Sequence, residues 1–233
     1  MPSSRPGCWP GWTMPGHDGG SGGIMTLLVA LALSLPIAVQ AASTTHPHPH
    51  QGIAPKFDNP QPSTLTAEEI AELKAGRSVR RQVRTEGGGR GISVMDVAGT
   101  PAQVWAVIDD YERYPDWIDH LEECEVYKRE GTEVYVRFKL RILGRDVEYF
   151  IDHERRPDLG WVTWQLDYSR ESDIDDSTGY WLVYPSPDQP GKTRVEYTVD
   201  LRLKGWIPGV VEDLLANKGL DQATAWVKAQ VEG

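Results

Sequence analysis

The chain has 233 residues, enough for one ordinary domain with an appendage, and sets 24 Lys and Arg against 34 Asp and Glu for a net charge of −10. So acidic a chain is a poor partner for nucleic acid or an anionic lipid surface, both of which call for positive potential. Its two cysteines, Cys8 and Cys124, lie far apart, which excludes a scaffold built on disulfides.

Ile24 to Val39 (IMTLLVALALSLPIAV) is almost wholly apolar, with Pro36 near its end and a small-residue cleavage pattern, Val39-Gln40-Ala41, before Ala42. This predicts a signal peptide over residues 1–41 and an exported protein, periplasmic or secreted. Arg5 is the only Lys or Arg ahead of the apolar run, and Met14 and Met25 lie downstream as alternative starts. Two readings compete: an uncleaved anchor, since Ile24 to Ala42 is 19 residues and a span needs ~20, and a cytosolic protein. Cleavage removes only Arg5 and Asp18 among the charged residues and takes Cys8 with it, leaving Cys124 without an internal partner.

Residues 42–65 are rich in Pro and polar side chains and read as an extended, solvated linker. Within it His46, His48 and His50 alternate with prolines. Three imidazoles so close could take a divalent metal, but such a linker supplies no packed scaffold to orient them, so no metal site is expected.

Residues 66–89 are expected to form a helix and an edge strand. Thr66-Ala-Glu-Glu69 is a capping box, and Gly76 is a C′ stop. Ser78–Thr85 alternates as a strand with Val79, Arg81 and Val83 on one face. The arginines at 77, 80, 81 and 84 read as the wet face of an edge rather than a phosphate patch. Gly87-Gly88-Gly89 reads as a flexible joint into the main domain, residues 90–233.

There the pattern is regular. Gly91–Val97 is a strand. Thr100-Pro101 opens a helix by N-cap and N1 chemistry, with Val104, Trp105 and Ile108 on one face, and Tyr114-Pro115-Asp116-Trp117 forms a second short helix. In 133–141, Val134, Val136, Phe138 and Leu140 alternate with polar residues, the period of a sheet with one buried face. Val147, Tyr149, Ile151 and His153 repeat the pattern, as do Val162, Trp164, Leu166 and Tyr168, and then Val195, Tyr197, Val199 and Leu201. The run Glu171–Asp176 reads as a loop leading into a strand. From Pro208 to about Val231 a long helix closes the chain. Six or seven antiparallel strands with one long helix make an α+β architecture.

This order, with VWAVIDDYERYPDWIDHLEECEVYKR at its front and GYWLVYP near its end, resembles the SRPBCC superfamily. Within it the chain is most similar to the polyketide cyclase/dehydrase and coenzyme Q-binding START-type branch. Trp105, the turn from Tyr114 to Trp117, and Trp181 carry the likeness, which spans Gly91 to Val231. It implies a helix-grip fold, a curved antiparallel sheet around a long C-terminal helix, with a cavity for a hydrophobic small molecule.

Strand alternation places Phe138, Tyr149, His153, Trp164, Trp181 and Tyr197 toward such a cavity, with Trp117 beside them and Leu214 and Lys218 on the helix side. Ligand pockets are mostly apolar with a few placed polar groups, and this set has that mixture; the competing reading is a solid aromatic core. His153 is the candidate acid or base, although a strand end ending in Glu154-Arg155-Arg156 often leaves a histidine in water or in a salt bridge. Phosphate loops, HExxH and CxxC are missing from the sequence. No cofactor is implied. The reading is an exported binding module that carries or sequesters a lipid, quinone or polyketide-like molecule, with a transient membrane contact left open. The alternatives are a cyclase or dehydratase acting in the same cavity, and a domain with a filled cavity that binds a partner on its surface.

Overall fold

The computed structural model describes residues 46–85, 88–142, 144–203 and 219–233. Helix α1 (Ala67–Lys74) has the capping box at Thr66, reciprocated by Glu69. Strand β1 (Val79–Thr85) returns antiparallel to β2 (Gly88–Val97), so Gly88 and Gly89, expected in a joint, lie in a strand. Val79 is buried with Leu73 of α1 and Val94, whereas Val83, expected on the same face, is 62% exposed. Helix α1 covers only the near end of this edge.

Helix α2 (Pro101–Ile108) buries Val104, Trp105 and Ile108. Its cap is a second box, Thr100 with Gln103. A 3-10 turn over Tyr111–Arg113 leads into α3 (Tyr114–Trp117). Then come β3 (Leu121–Glu130), β4 (Glu133–Ile142), β5 (Arg145–Arg156), β6 (Trp161–Leu166), β7 (Ile174–Pro185) and β8 (Thr193–Leu203), and α4 (Gly219–Glu232) follows. The expected loop over Glu171–Asp176 gives way earlier, since Ile174 already begins β7. The eight strands form one antiparallel sheet in the order β1-β2-β8-β7-β6-β5-β4-β3. The start of the predicted closing helix, with Leu214 and Lys218, lies outside the described residues.

One sheet face carries the main core. Met95, Val97, Val136, Ile151, Val162, Leu166, Val183 and Val195 are buried there with Trp105 and Ile108 of α2 and Trp226 and Val227 of α4. Burial on this scale is the main force holding helices on sheet. Gly91 allows the close approach of α4, because a Cβ there would overlap the Leu220 side chain. Across the seam the Ser93 and Thr224 hydroxyls bond at 3.1 Å.

The opposite face carries a finding that composition did not foretell. Residues 46–63, expected to be solvated, run along the sheet as a strap. Phe57 packs with Trp161, Tyr180 and Leu182, and its ring lies 5.2 Å from that of Tyr180. The amides of Ala54 and Ser63 donate to the Asp176 and Glu196 carboxylates at 2.8 and 3.1 Å. His48 is 2% exposed. Its Nδ1 accepts from the Ser172 amide at 3.2 Å, and its Nε2 sits 2.9 Å from the Asp175 carbonyl oxygen. Because an amide N–H only donates, Nδ1 bears the lone pair and Nε2 the proton. Both ring nitrogens are thereby used in holding the strap.

Candidate functional site

Between the inner sheet face and the helices lies a cavity of about 350 Å³. That lies within the range for small-molecule sites, roughly 300–1,000 Å³. Strands β4, β5 and β8 supply the wall by simple alternation: Phe138 and Leu140, then Val147, Tyr149, Ile151 and His153, then Tyr197, Val199 and Leu201. Trp164 and Trp181 come from β6 and β7. Six of the sequence-nominated residues, Phe138, Tyr149, His153, Trp164, Trp181 and Tyr197, therefore meet on one cavity. Trp117 does not line it. Its indole stacks on that of Trp226 at 5.7 Å, and Trp226 forms the wall in its place.

Sequence reasoning missed the helical side. Tyr111 and Tyr114 line the cavity together with Trp226 and Leu220. The aromatic helix was legible, but its inward face was not, because a 3-10 turn precedes it and breaks the helical period. The segment Ile118–Leu121 also borders the cavity. Asp119 and His120 in it are exposed, so the cavity reaches the surface there. His120 adopts φ 67°, a left-handed conformation uncommon outside glycine, and its carbonyl accepts from the Arg141 amide at 2.7 Å.

The aromatics form a connected lining. Phe138 stacks on Tyr149 with centroids 5.3 Å apart, Trp164 on Tyr197 at 5.4 Å, and Trp181 meets Tyr197 at 4.6 Å. Offset and tilted contacts at these distances are the favoured ring geometries. Tyr114 donates to the Ile108 carbonyl at 2.5 Å, which pins the turn after α2. The β5 end is tied to α2 by the Arg155–Asp109 ion pair.

His153 faces the cavity and is 7% exposed; the strand end does not leave it in water. Its Nδ1 lies 3.2 Å from the carbonyl oxygen of Val134, the residue opposite it in register. Burial pushes its pKa down to about 3, so the ring is neutral at ordinary pH. Burial likewise pushes the Tyr111, Tyr149 and Tyr197 phenols above their usual range. Every polar group in this part of the wall is thus uncharged. Asp173, which also lines the cavity, is engaged through its carboxylate by the Glu148 amide at 2.8 Å.

The wall offers little for acid–base chemistry. An imidazolium with a pKa near 3 belongs to a weak base, far from the value near neutrality that suits proton transfer. Burial also pushes the Cys124 thiol up to about 12, so it stays protonated and unreactive. No group of three or more His, Cys, Asp or Glu among the described residues is placed to hold a metal ion.

The profile of the family described as polyketide cyclase / dehydrase and lipid transport matches residues 97–225, more than half of the chain. No curated protein sequence matches significantly. Among solved structures, a STAR-related lipid transfer protein from Xanthomonas axonopodis is 17% identical, with 67% of this chain and 94% of that one aligned at a TM-score of 0.52. A START superfamily protein from Mycobacterium smegmatis is 17% identical over 66% of this chain and 97% of its own, with a TM-score of 0.49. The Zhui aromatase/cyclase of a Streptomyces species is 18% identical over 66% and 86%, with a TM-score of 0.44.

Proposed function

The chain belongs to the polyketide cyclase / dehydrase and lipid transport family, and from that premise we propose that it is a binding protein that carries or sequesters a hydrophobic small molecule. The fold is the START/SRPBCC helix-grip fold, which serves hydrophobic ligands in lipid transfer and in cyclase members alike. One observation favours carriage over catalysis: the cavity wall is mostly aromatic and aliphatic, and the imidazole buried in it, that of His153, is neutral. Such a wall gains free energy by desolvating apolar surface and stacking rings. Among the described residues its carboxylates lie at the exposed rim, Asp119, or are engaged by a backbone amide, Asp173.

The proposal extends to export. The apolar run from Ile24 to Val39 and the Ala42 boundary fit a cleaved signal peptide. N-terminal sequencing of the mature protein is expected to begin at Ala42, and retention of residues 24–41 would favour the anchor.

Titration with Nile red, an uncharged apolar dye, tests the binding role. Saturable one-to-one binding with a blue-shifted emission is expected, with the dye recovered unaltered. Emission rising in proportion to protein without saturation would mean surface adsorption and would count against the cavity as a binding site.

A further inference from the structure

His153 is a cavity group whose hydrogen-bonding sense is set by the fold. The Val134 carbonyl can only accept, so the Nδ1 that faces it at 3.2 Å carries the proton. In a neutral ring the other nitrogen, Nε2, is then a bare lone pair. Its surroundings are rings: Tyr111 at 5.4 Å, Trp164 at 6.2 Å and Phe138 at 6.3 Å between centroids. Among the described residues none donates to it: the hydrogen bond to Val134 is the one this ring makes. Nε2 is not among the fully buried polar atoms that lack a partner; it is open to the cavity, where a donor on a ligand can meet it in apolar surroundings that favour the bond.

The tyrosines on the wall differ in kind. A phenol can donate or accept, so Tyr149 and Tyr197 accommodate a carbonyl, an ether or a hydroxyl. His153 Nε2 accepts only. It is therefore a buried wall group that can tell a hydroxyl from its ether.

We infer that the cavity selects ligands carrying a hydroxyl donor, phenol or alcohol, on an otherwise apolar skeleton, the hydroxyl donating to His153 Nε2. This rests on the binding role proposed above. His153 is on this account a specificity-determining residue, and the ligand class is a hydroxylated ring compound or lipid alcohol rather than a plain hydrocarbon chain or an ester.

The test is calorimetric titration of the full chain with 2-naphthol and with 2-methoxynaphthalene, two probes of one skeleton. The ether is the more hydrophobic, so apolar transfer favours it and any preference for the naphthol reports the hydroxyl. The expected result is binding of the naphthol about tenfold tighter, the effect of one buried hydrogen bond. His153→Phe keeps a ring, removes the acceptor and is expected to bring the ratio under about twofold without weakening the ether. His153→Leu, which also removes the acceptor, gives a second variant should the first fail to fold. In the unsubstituted protein, the unprotonated His153 nitrogen seen by 15N NMR should shift with the naphthol and not with the ether. Equal affinities for the two probes, or a ratio preserved in both variants, would overturn this inference and leave the binding role standing. Failure of both probes to bind would overturn the binding role along with it.

Discussion

The indole of Trp164 lies across Gly179, its register partner on the neighbouring strand, so closely that a Cβ on Gly179 would overlap the ring. The same Cβ would overlap the Thr198 carbonyl oxygen. The missing side chain on β7 is what lets a large ring from β6 lie flat as part of the cavity wall.

Gly179→Ala is therefore expected to displace Trp164 or the strand beneath it. Overpacking of this kind costs about 1–3 kcal/mol, and the distorted wall should weaken Nile red as well. Urea denaturation checks the first effect and dye titration the second; an unchanged midpoint would show that the sheet absorbs the methyl group freely.

Trp181 is 7% exposed and touches both Tyr197 and Trp226. Trp181→Arg places a charge in the apolar cavity and is expected to abolish binding of uncharged apolar ligands, a loss of at least about a hundredfold given the cost of an unpaired buried charge. Circular dichroism confirms that the variant is folded. A folded variant that binds like the parent would place the ligand elsewhere.

Stability should depend on pH through His153. Its folded pKa is about 3 against an ordinary 6.5, so between those values the unfolded chain holds a proton that the folded chain refuses. Stability is then complete above pH 6.5 and is lost as pH falls toward 3, by up to about 1.4 kcal/mol per pH unit. Arg155 nearby acts in the same direction as burial. Carboxylates such as Asp96, held below the usual range because Arg194, Gln189 and Ser186 outweigh the effect of burial, act in a lower window. Denaturation of His153→Phe across this range should show a shallower slope than the parent; parallel slopes would mean the imidazole is not the titrating group.

The pattern of what the sequence revealed has a physical basis. Strands β4 and β5 were legible because each has one wet and one buried face, so a period of two survives in the residues. Phe150 broke that period, and the structure explains it: Tyr127 meets it edge-on at 5.8 Å and the Arg170 guanidinium sits 5.3 Å above it, which covers an outward ring. The strap was not legible. It carries no apolar period, and its bonds run from backbone amides to carboxylates more than 120 positions away. Tyr111 and Tyr114 escaped nomination because short helices do not announce which face turns inward, and Trp226 because the apolar face of α4 serves the core as well as the cavity.

The strap predicts its own measurement. His48→Ala leaves the buried Ser172 amide without its acceptor, which should cost about 1–3 kcal/mol. Hydrogen exchange at Ser172 should accelerate along with exchange at Ala54. Unaltered protection at both would mean that the strap is held by Phe57 and its neighbours instead.

The Asp96–Arg194 pair joins β2 to β8 through two bonds of 2.9 and 3.0 Å, with the Arg194 side chain 3% exposed. Arg194 also pairs with Asp188 at 2.9 Å, so Asp96→Ala removes one of its two counter-ions and is expected to cost up to about 3 kcal/mol, while Asp96→Ala with Arg194→Met should recover much of the loss. Chemical denaturation of the two variants decides it, and equal instability in both would assign the cost to lost packing.

The most direct test of the binding role is native mass spectrometry of the protein purified from its own cells, followed by organic extraction of the same sample. The account predicts a stoichiometric, uncharged apolar adduct that extraction releases intact and that Trp181→Arg fails to retain. Extraction of an altered product after incubation with that molecule, or an adduct that survives in Trp181→Arg, would contradict carriage in this cavity.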